Sequence, residues 1–295
     1  MIKKNAFTMI ELVFVIVVMG IIGKFGTEFL AQAYKNFIST KIQNKYQNQS
    51  ATAVEFIARR LQYRIQSSVI VRDFSTFSDY KPLEGFQNSG YDVLEWVSYS
   101  SEGLKNRSWS GIYSKEKSNS ELYSPETNTS KLNTLISTLS HGKSTINDAA
   151  VYFIGSDDNW VWDGNPVTDF NSSSMKPIKA GGSLNKFATN YTGSDDFSDL
   201  DLKNKEYNSY QLSWTANAIV FDKNNQQLWF YTDYQPWEGD KYTDATSKRL
   251  IMEEVSDFRK RQNKRIITIK VCSINEKLKD LDESDFLTCK EKTIL

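Results

Sequence analysis

Residues 7–23, F-T-M-I-E-L-V-F-V-I-V-V-M-G-I-I-G, constrain this chain more than any other stretch. A run this apolar is slightly short of the ~20 residues that cross a bilayer as a helix. Phe25, Gly26, Phe29 and Leu30 extend it, with Lys24 able to snorkel between them. Residues 1–6 are short and basic, with Lys3 and Lys4. Positive charge ahead of an apolar run keeps that end in the cytoplasm and exports the chain beyond it. Glu11 interrupts the run. A charged side chain near the bilayer centre costs ~2.5–3.5 kcal/mol even on lenient insertion scales. The fold therefore has to seat an apolar helix outside its globular part, and Glu11 has to have a reason.

Three readings compete for this segment. A secretory signal peptide has a charged start, an apolar stretch and a small-residue cleavage site, which Ala31-Gln32-Ala33 could supply, leaving Tyr34 as the first mature residue. Against it, Glu11 sits in the apolar stretch, and Lys24 and Glu28 lie where neutral residues are expected. A plain single-span anchor accounts for length and orientation and leaves Glu11 unexplained. The third reading starts from A-F-T-M-I-E, residues 6–11, leading directly into the apolar helix.

This arrangement resembles the signal of the type IV pilins and of the pseudopilins of type II secretion. The resemblance implies cleavage by a prepilin peptidase between Ala6 and Phe7, N-methylation of Phe7, and a place for Glu11 four residues further on. It also implies that the carboxylate of Glu11 meets the terminal amine of a neighbouring subunit during filament assembly. Pairing an ammonium with a carboxylate lowers the cost that each would carry alone in hydrocarbon. Two features depart from the family pattern: Ala6 stands where glycine is usual, and the helix lacks the proline that kinks many major pilins. The implied partners are the peptidase, other pilin or pseudopilin subunits through the helix, and inner-membrane lipid before assembly. The implied location is the bacterial inner membrane, crossed once, with the head in the periplasm.

Ile38, Ile42 and Tyr46 recur at four-residue spacing, as do Ile57, Leu61, Ile65 and Val69, and no proline occurs before Pro82. The spacing predicts a helix from Phe7 to about Ser68. Its half from 7 to 30 would lie in membrane or filament core, and its half from 31 to 70 would bury the Ile57–Val69 stripe against a sheet. Gly20, Gly23 and Gly26 recur every three residues. They fit either close helix approach in lipid or ordinary membrane-helix glycine.

Residues 71–295 read as one exported, β-rich head. Tyr, Trp and Phe number 15, 7 and 17, and these residues favour pleated surfaces. Strand patterns occur in YDVLEWVSY (91–99), AAVYFIG (149–155), YQLSW (210–214), AIVF (218–221) and QLWFY (227–231), the last two flanking a hairpin turn at Asp222–Gln226. RLIMEEVSDF (249–258) and RIITIKVCS (265–273) read as a strand pair across the basic R-K-R-Q-N-K-R. That ending resembles the larger minor pseudopilins of the J type and the PilW-like minor pilins. Residues 101–148 and 164–209, heavy in Ser, Asn, Gly and Thr, read as long surface loops. The expected class is α+β, a pilin-like long N-terminal helix packed on an antiparallel sheet.

Cys272 and Cys289 are the only cysteines. An even pair fits one disulfide in an exported head, with two unpaired structural thiols as the alternative. The single histidine, His141, lies in the S-T-L-S-H-G-K-S-T stretch, and a solvated loop histidine is the simpler account of it than a catalytic base. The sequence has no G-x-S-x-G elbow, phosphate-binding glycine loop or H-E-x-x-H. No enzyme is expected. Asp195, Asp196, Asp199 and Asp201 offer clustered oxygens of the kind Ca²⁺ takes, and calcium occurs in some pseudopilin heads; solvated turns are the alternative. Otherwise no cofactor is expected. Lysine plus arginine balance aspartate plus glutamate at 36 each, so no global field favours nucleic acid. Arg259, Lys260, Arg261, Lys264 and Arg265 are the one candidate for DNA contact, with a minor pilin for DNA uptake as the alternative function that the family resemblance allows, against the commoner reading of a soluble hairpin tip.

Overall fold

The computed structural model describes residues 8–86, 90–154, 175–190, 197, 209–274 and 287–295. Helix α1 runs without a break over Met9–Leu61, 53 residues, which at 1.5 Å per residue is about 80 Å. Arg64 and Ser98 form the bridge at which the chain turns from this helix into the head.

The helix ends earlier than the expected Ser68. Tyr63 donates to the Arg60 carbonyl (3.3 Å) and Arg64 to that of Leu61 (3.2 Å), tightening the last turn. Ile65 is then extended and donates to the Val97 carbonyl at 2.9 Å. A 3₁₀ turn at Gln66–Ser68 comes next, held by the Ser68 hydroxyl, which donates to the Ile65 carbonyl (2.6 Å) and accepts from the Val97 amide (2.9 Å). Ile65 and Val69 are buried, as a helical stripe would have them, but a sheet neighbour has taken their backbone.

Fourteen strands and two further helices lie among the described residues: β1 Ile70–Arg72, β2 Tyr80–Pro82, β3 Val93–Ser98, α2 Ser101–Lys105, β4 Leu122–Tyr123, α3 Thr129–Leu139, β5 Ala149–Phe153, β6 Met175–Ala180, β7 Lys186–Thr189, β8 Tyr210–Ser213, β9 Thr215–Asp222, β10 Gln227–Thr232, β11 Ser247–Met252, β12 Val255–Asn263, β13 Ile266–Ile274 and β14 Leu287–Ile294. They form three antiparallel sheets, ordered β11-β10-β9-β3-β1-β2, β12-β13-β14 and β4-β7-β6-β5-β8. The fold is α+β with a long N-terminal helix.

The six-stranded sheet is buried on both faces at its centre. Alternation along β3 turns Leu94 and Trp96 toward Ala53, Val54, Ile57 and Leu61 of α1, and Val93 and Val97 to the opposite face. The three-stranded sheet closes the first of these cores with Val255, Phe258, Ile267, Ile269, Val271 and Ile294. The five-stranded sheet has a core of its own with α3, built on Trp109, Leu132, Ile136, Val151, Phe187 and Leu212.

One buried ion pair crosses the central sheet. Arg72 and Glu95, both fully buried, meet at 2.9 Å, and the Tyr234 hydroxyl donates to the second Glu95 oxygen at 2.8 Å. Arg72 also donates to the Phe77 carbonyl and lies 4.0 Å over the Phe77 ring. Burial, then the charge of Glu95, pushes the Tyr234 hydroxyl well above its ordinary pKa.

Three expectations about the head change. Residues 101–148 are structured rather than loop, and the described part of 164–209 holds two strands, β6 and β7, the rest of that stretch lying mostly outside the described residues. Asn128 caps α3 by accepting from the Lys131 amide at 2.9 Å, and Leu132 and Ile136, one turn apart, are buried. The stretch 249–258 is also two strands, not one. Glu254 takes a left-handed φ of 57° between β11, which pairs with β10, and β12, which pairs with β13. The β9–β10 hairpin is present, its turn held by Asp222 accepting from the amides of Asn224 and Asn225, both at 3.1 Å.

Candidate functional site

Among the described residues, the first half of α1 stands out as an apolar segment that is exposed along its length. Phe14, Phe25, Phe29, Leu30 and Phe37 are 62 to 73% exposed, and the 18-residue stretch that qualifies the helix as long and apolar enough to cross a membrane has none of its residues buried. Exposed apolar surface on this scale marks a site of contact with lipid or protein. A Cβ built on Gly20, Gly23 or Gly26 would touch nothing within 4 Å. The helix nevertheless runs straight through them. The Thr27 hydroxyl donates to the carbonyls of Gly23 (3.1 Å) and Lys24 (2.9 Å), so its polar group is satisfied along the helix backbone.

Glu11 stands at the third helical position behind the N-cap Thr8. Its carboxylate accepts from the Thr8 amide (3.4 Å) and hydroxyl (3.3 Å), the reciprocal contact of a capping box. This local role was readable in T-M-I-E, residues 8–11, as a Ser/Thr-x-x-Glu pattern ahead of an apolar run. A negative charge here also faces the positive end of the helix dipole. Glu28 comes seventeen positions after Glu11, about 26 Å along the axis, close to the ~30 Å thickness of a hydrocarbon core. Ala6 and Phe7 lie outside the described residues.

From Tyr46 onward the helix is tied to the head. The Tyr46 hydroxyl donates to Glu254, and burial together with that carboxylate raises its pKa. Ser50 and Ser273 oxygens are 3.5 Å apart, and Lys292 of β14 pairs with Glu55. Hydrogen bonds from Lys292 and Arg59 hold the Glu55 carboxyl below its ordinary range. Arg64 donates to the Arg265 carbonyl at 2.6 Å, locking the helix end to the β12–β13 turn. Cys272 and Cys289 stand opposite each other on β13 and β14 and are bridged, with an S–S distance of 2.08 Å.

The basic run is dispersed rather than gathered at a hairpin tip. Arg259, Lys260 and Arg261 belong to β12, and the turn is only Lys264-Arg265, with Lys264 at φ 53°. Alternation sends neighbours to opposite faces. Arg259 meets Asp257 (2.5 Å) and Arg261 meets Glu291 (3.6 Å). Lys260 turns inward and donates to the Tyr91 carbonyl, and burial holds its ammonium down to about 8. His141 sits at the C-terminal turn of α3 in the left-handed conformation, φ 55°. Asp195, Asp196, Asp199 and Asp201 lie outside the described residues. Among the described residues, no group of three or more His, Cys, Asp or Glu could hold a metal ion.

Comparison with models of protein families, with curated proteins and with solved structures finds no match to this chain.

Proposed function

We propose that the chain is a minor subunit of a pilin-like filament, a type II secretion pseudopilus or a type IV pilus. In this reading it is held in the inner membrane by α1, cleaved between Ala6 and Phe7, methylated at Phe7 and drawn into the filament by its apolar helix. The observation that carries the reading is a helix of about 80 Å, apolar and exposed over its first half. That helix has Glu11 at its start and a disulfide-containing β-rich head on its far half. The exposed stripe is covered by lipid before assembly and by other subunits' helices afterwards. Catalysis and nucleic-acid binding are no part of this proposal.

The test is the mature N-terminus. Mass spectrometry of the protein from its native membrane should find N-methylated Phe7. A chain starting at Tyr34, or one retaining residues 1–6, would overturn the proposal.

The capping box favours a second reading, a plain single-span anchor carrying a periplasmic binding head. There, Glu11 is satisfied by the Thr8 amide and hydroxyl and needs no neighbour. Retention of residues 1–6 is the outcome that supports it.

A further inference from the structure

The five-stranded sheet is an insertion. Every strand of it, β4 to β8, and both α2 and α3 fall between Ser98, the last residue of β3, and Thr215, the first of β9. Ser98 and Thr215 are directly paired in the central sheet, so the chain leaves and re-enters at adjacent points. Among the described residues, no strand of the other two sheets comes from inside that interval. Domains tolerate insertion where the entering and leaving ends lie close together.

The cores divide the same way. The cluster under α3 draws on residues 109–214, with Tyr99 packed against it, and on nothing from the body. The body's first core draws on α1 and on strands outside the interval. The seam between the two parts is mixed in character, apolar packing with hydrogen bonds across it. Ala150, Tyr152 and Met175 join the far face of the central sheet. Across it, Ser67 donates to the Tyr152 hydroxyl (2.9 Å), Trp237 to the Asp148 carbonyl (3.2 Å) and Lys143 to the Thr246 carbonyl (2.8 Å). The inserted part also has a defined seat. The Tyr99 amide donates to the Tyr63 carbonyl (2.9 Å), the two rings meet edge to face at 5.9 Å, and Lys105 lies 5.5 Å over Tyr63. These contacts are just beyond the C-terminal end of α1, opposite its apolar start.

We propose that residues 99–214 are an accessory module that opens and closes as its own cooperative unit. It is seated on Tyr63, just past the C-terminal end of α1, and on the face of the central sheet away from that helix. The division separates two tasks: the body, packed on α1 by its sheets and by the Tyr46–Glu254 and Glu55–Lys292 contacts, holds the helix, and the module presents surface away from it. The proposal goes beyond the filament reading and stands whether or not that reading holds.

Hydrogen exchange on the full-length chain in detergent tests it, comparing Leu132→Ala in the module core with Ile267→Ala in the body core. Deleting a buried leucine side chain should speed exchange by about 30-fold or more in the unit that contains it. With Leu132→Ala, the acceleration should cover α3, β5, β6 and β8 and leave β10, β13 and β14 at the wild-type rate. Ile267→Ala should accelerate β10, β13 and β14. Equal acceleration of both sets by Leu132→Ala would overturn the proposal. Should that variant fail to fold, the milder Leu132→Val is read in the same way, and loss of the whole fold in both variants also overturns it.

Discussion

At the scale of single residues, Glu11 has two physically distinct uses, and they respond differently to the same substitutions. As the reciprocal half of a capping box it needs an acceptor oxygen, which glutamine supplies as well as glutamate. As the partner of a neighbouring amine it needs negative charge, which glutamine lacks. Glu11→Gln should therefore leave the helix start intact while impairing incorporation into filaments, and Glu11→Val should impair both. Incorporation is measured as the amount of the variant recovered in sheared filaments against the amount in membranes. Normal recovery of Glu11→Gln would reduce Glu11 to a cap. The buried Arg72–Glu95–Tyr234 group shows the opposite limit of legibility. Nothing in the spacing of Arg72, Glu95 and Tyr234, spread over 163 positions, marks them as one cluster; only the register of β1 on β3 brings the first two together.

At the scale of elements, what could be read from sequence was whatever local pattern decides. The apolar start of α1 and the β9–β10 hairpin are set by runs of apolar and β-forming residues with turn chemistry between them. The end of α1 was not legible, because the four-residue spacing of Ile57, Leu61, Ile65 and Val69 persists while the backbone at Ile65 is taken by Val97. The basic run misled for a related reason. Five charges look like a solvated turn, yet three of them, Arg259, Lys260 and Arg261, lie on β12, which alternates them between carboxylates on its surface and a carbonyl beneath it. The three-stranded sheet carries one covalent staple, between β13 and β14. The disulfide spans 17 residues of sequence, which in the chain-entropy model is worth about 3 kcal/mol. The double variant Cys272→Ser, Cys289→Ser should lower the denaturant midpoint accordingly, with added loss of protection in β13 and β14 by hydrogen exchange. An unchanged midpoint would mean that α1, through Lys292 and Ser273, already holds these strands without the bond.

At the scale of the whole molecule, the seam between body and module is where charge is poorly matched. Glu238, in the 3₁₀ turn Pro236–Glu238, is pushed up to about 7, first by burial and then by the negative charges of Asp148 across the seam and Asp240 beside it. The folded protein therefore holds this proton more tightly than the unfolded chain, whose glutamate titrates near its ordinary 4.5. Stability from this group is fully present below pH 4.5 and is lost as pH rises through 7. Glu55, Glu121, Asp73 and Asp222 are shifted downward by hydrogen bonds, so their contributions vary at lower pH, below this window. Asp233, raised by burial, acts in the same direction as Glu238. Because the Glu238 side chain is exposed to solvent, the full conversion of its shift to energy must be discounted, leaving on the order of 1 kcal/mol. The melting temperature of the wild type should then fall by about 2–4 °C more than that of Glu238→Gln between pH 5 and pH 8. The amide keeps the shape of the protonated acid without its titration, so the variant's curve should be flatter rather than uniformly displaced. If the two proteins lose stability in parallel, the seam is indifferent to the charge at Glu238, and the packing of Ala150, Tyr152 and Met175 against the central sheet holds the module without help from proton binding.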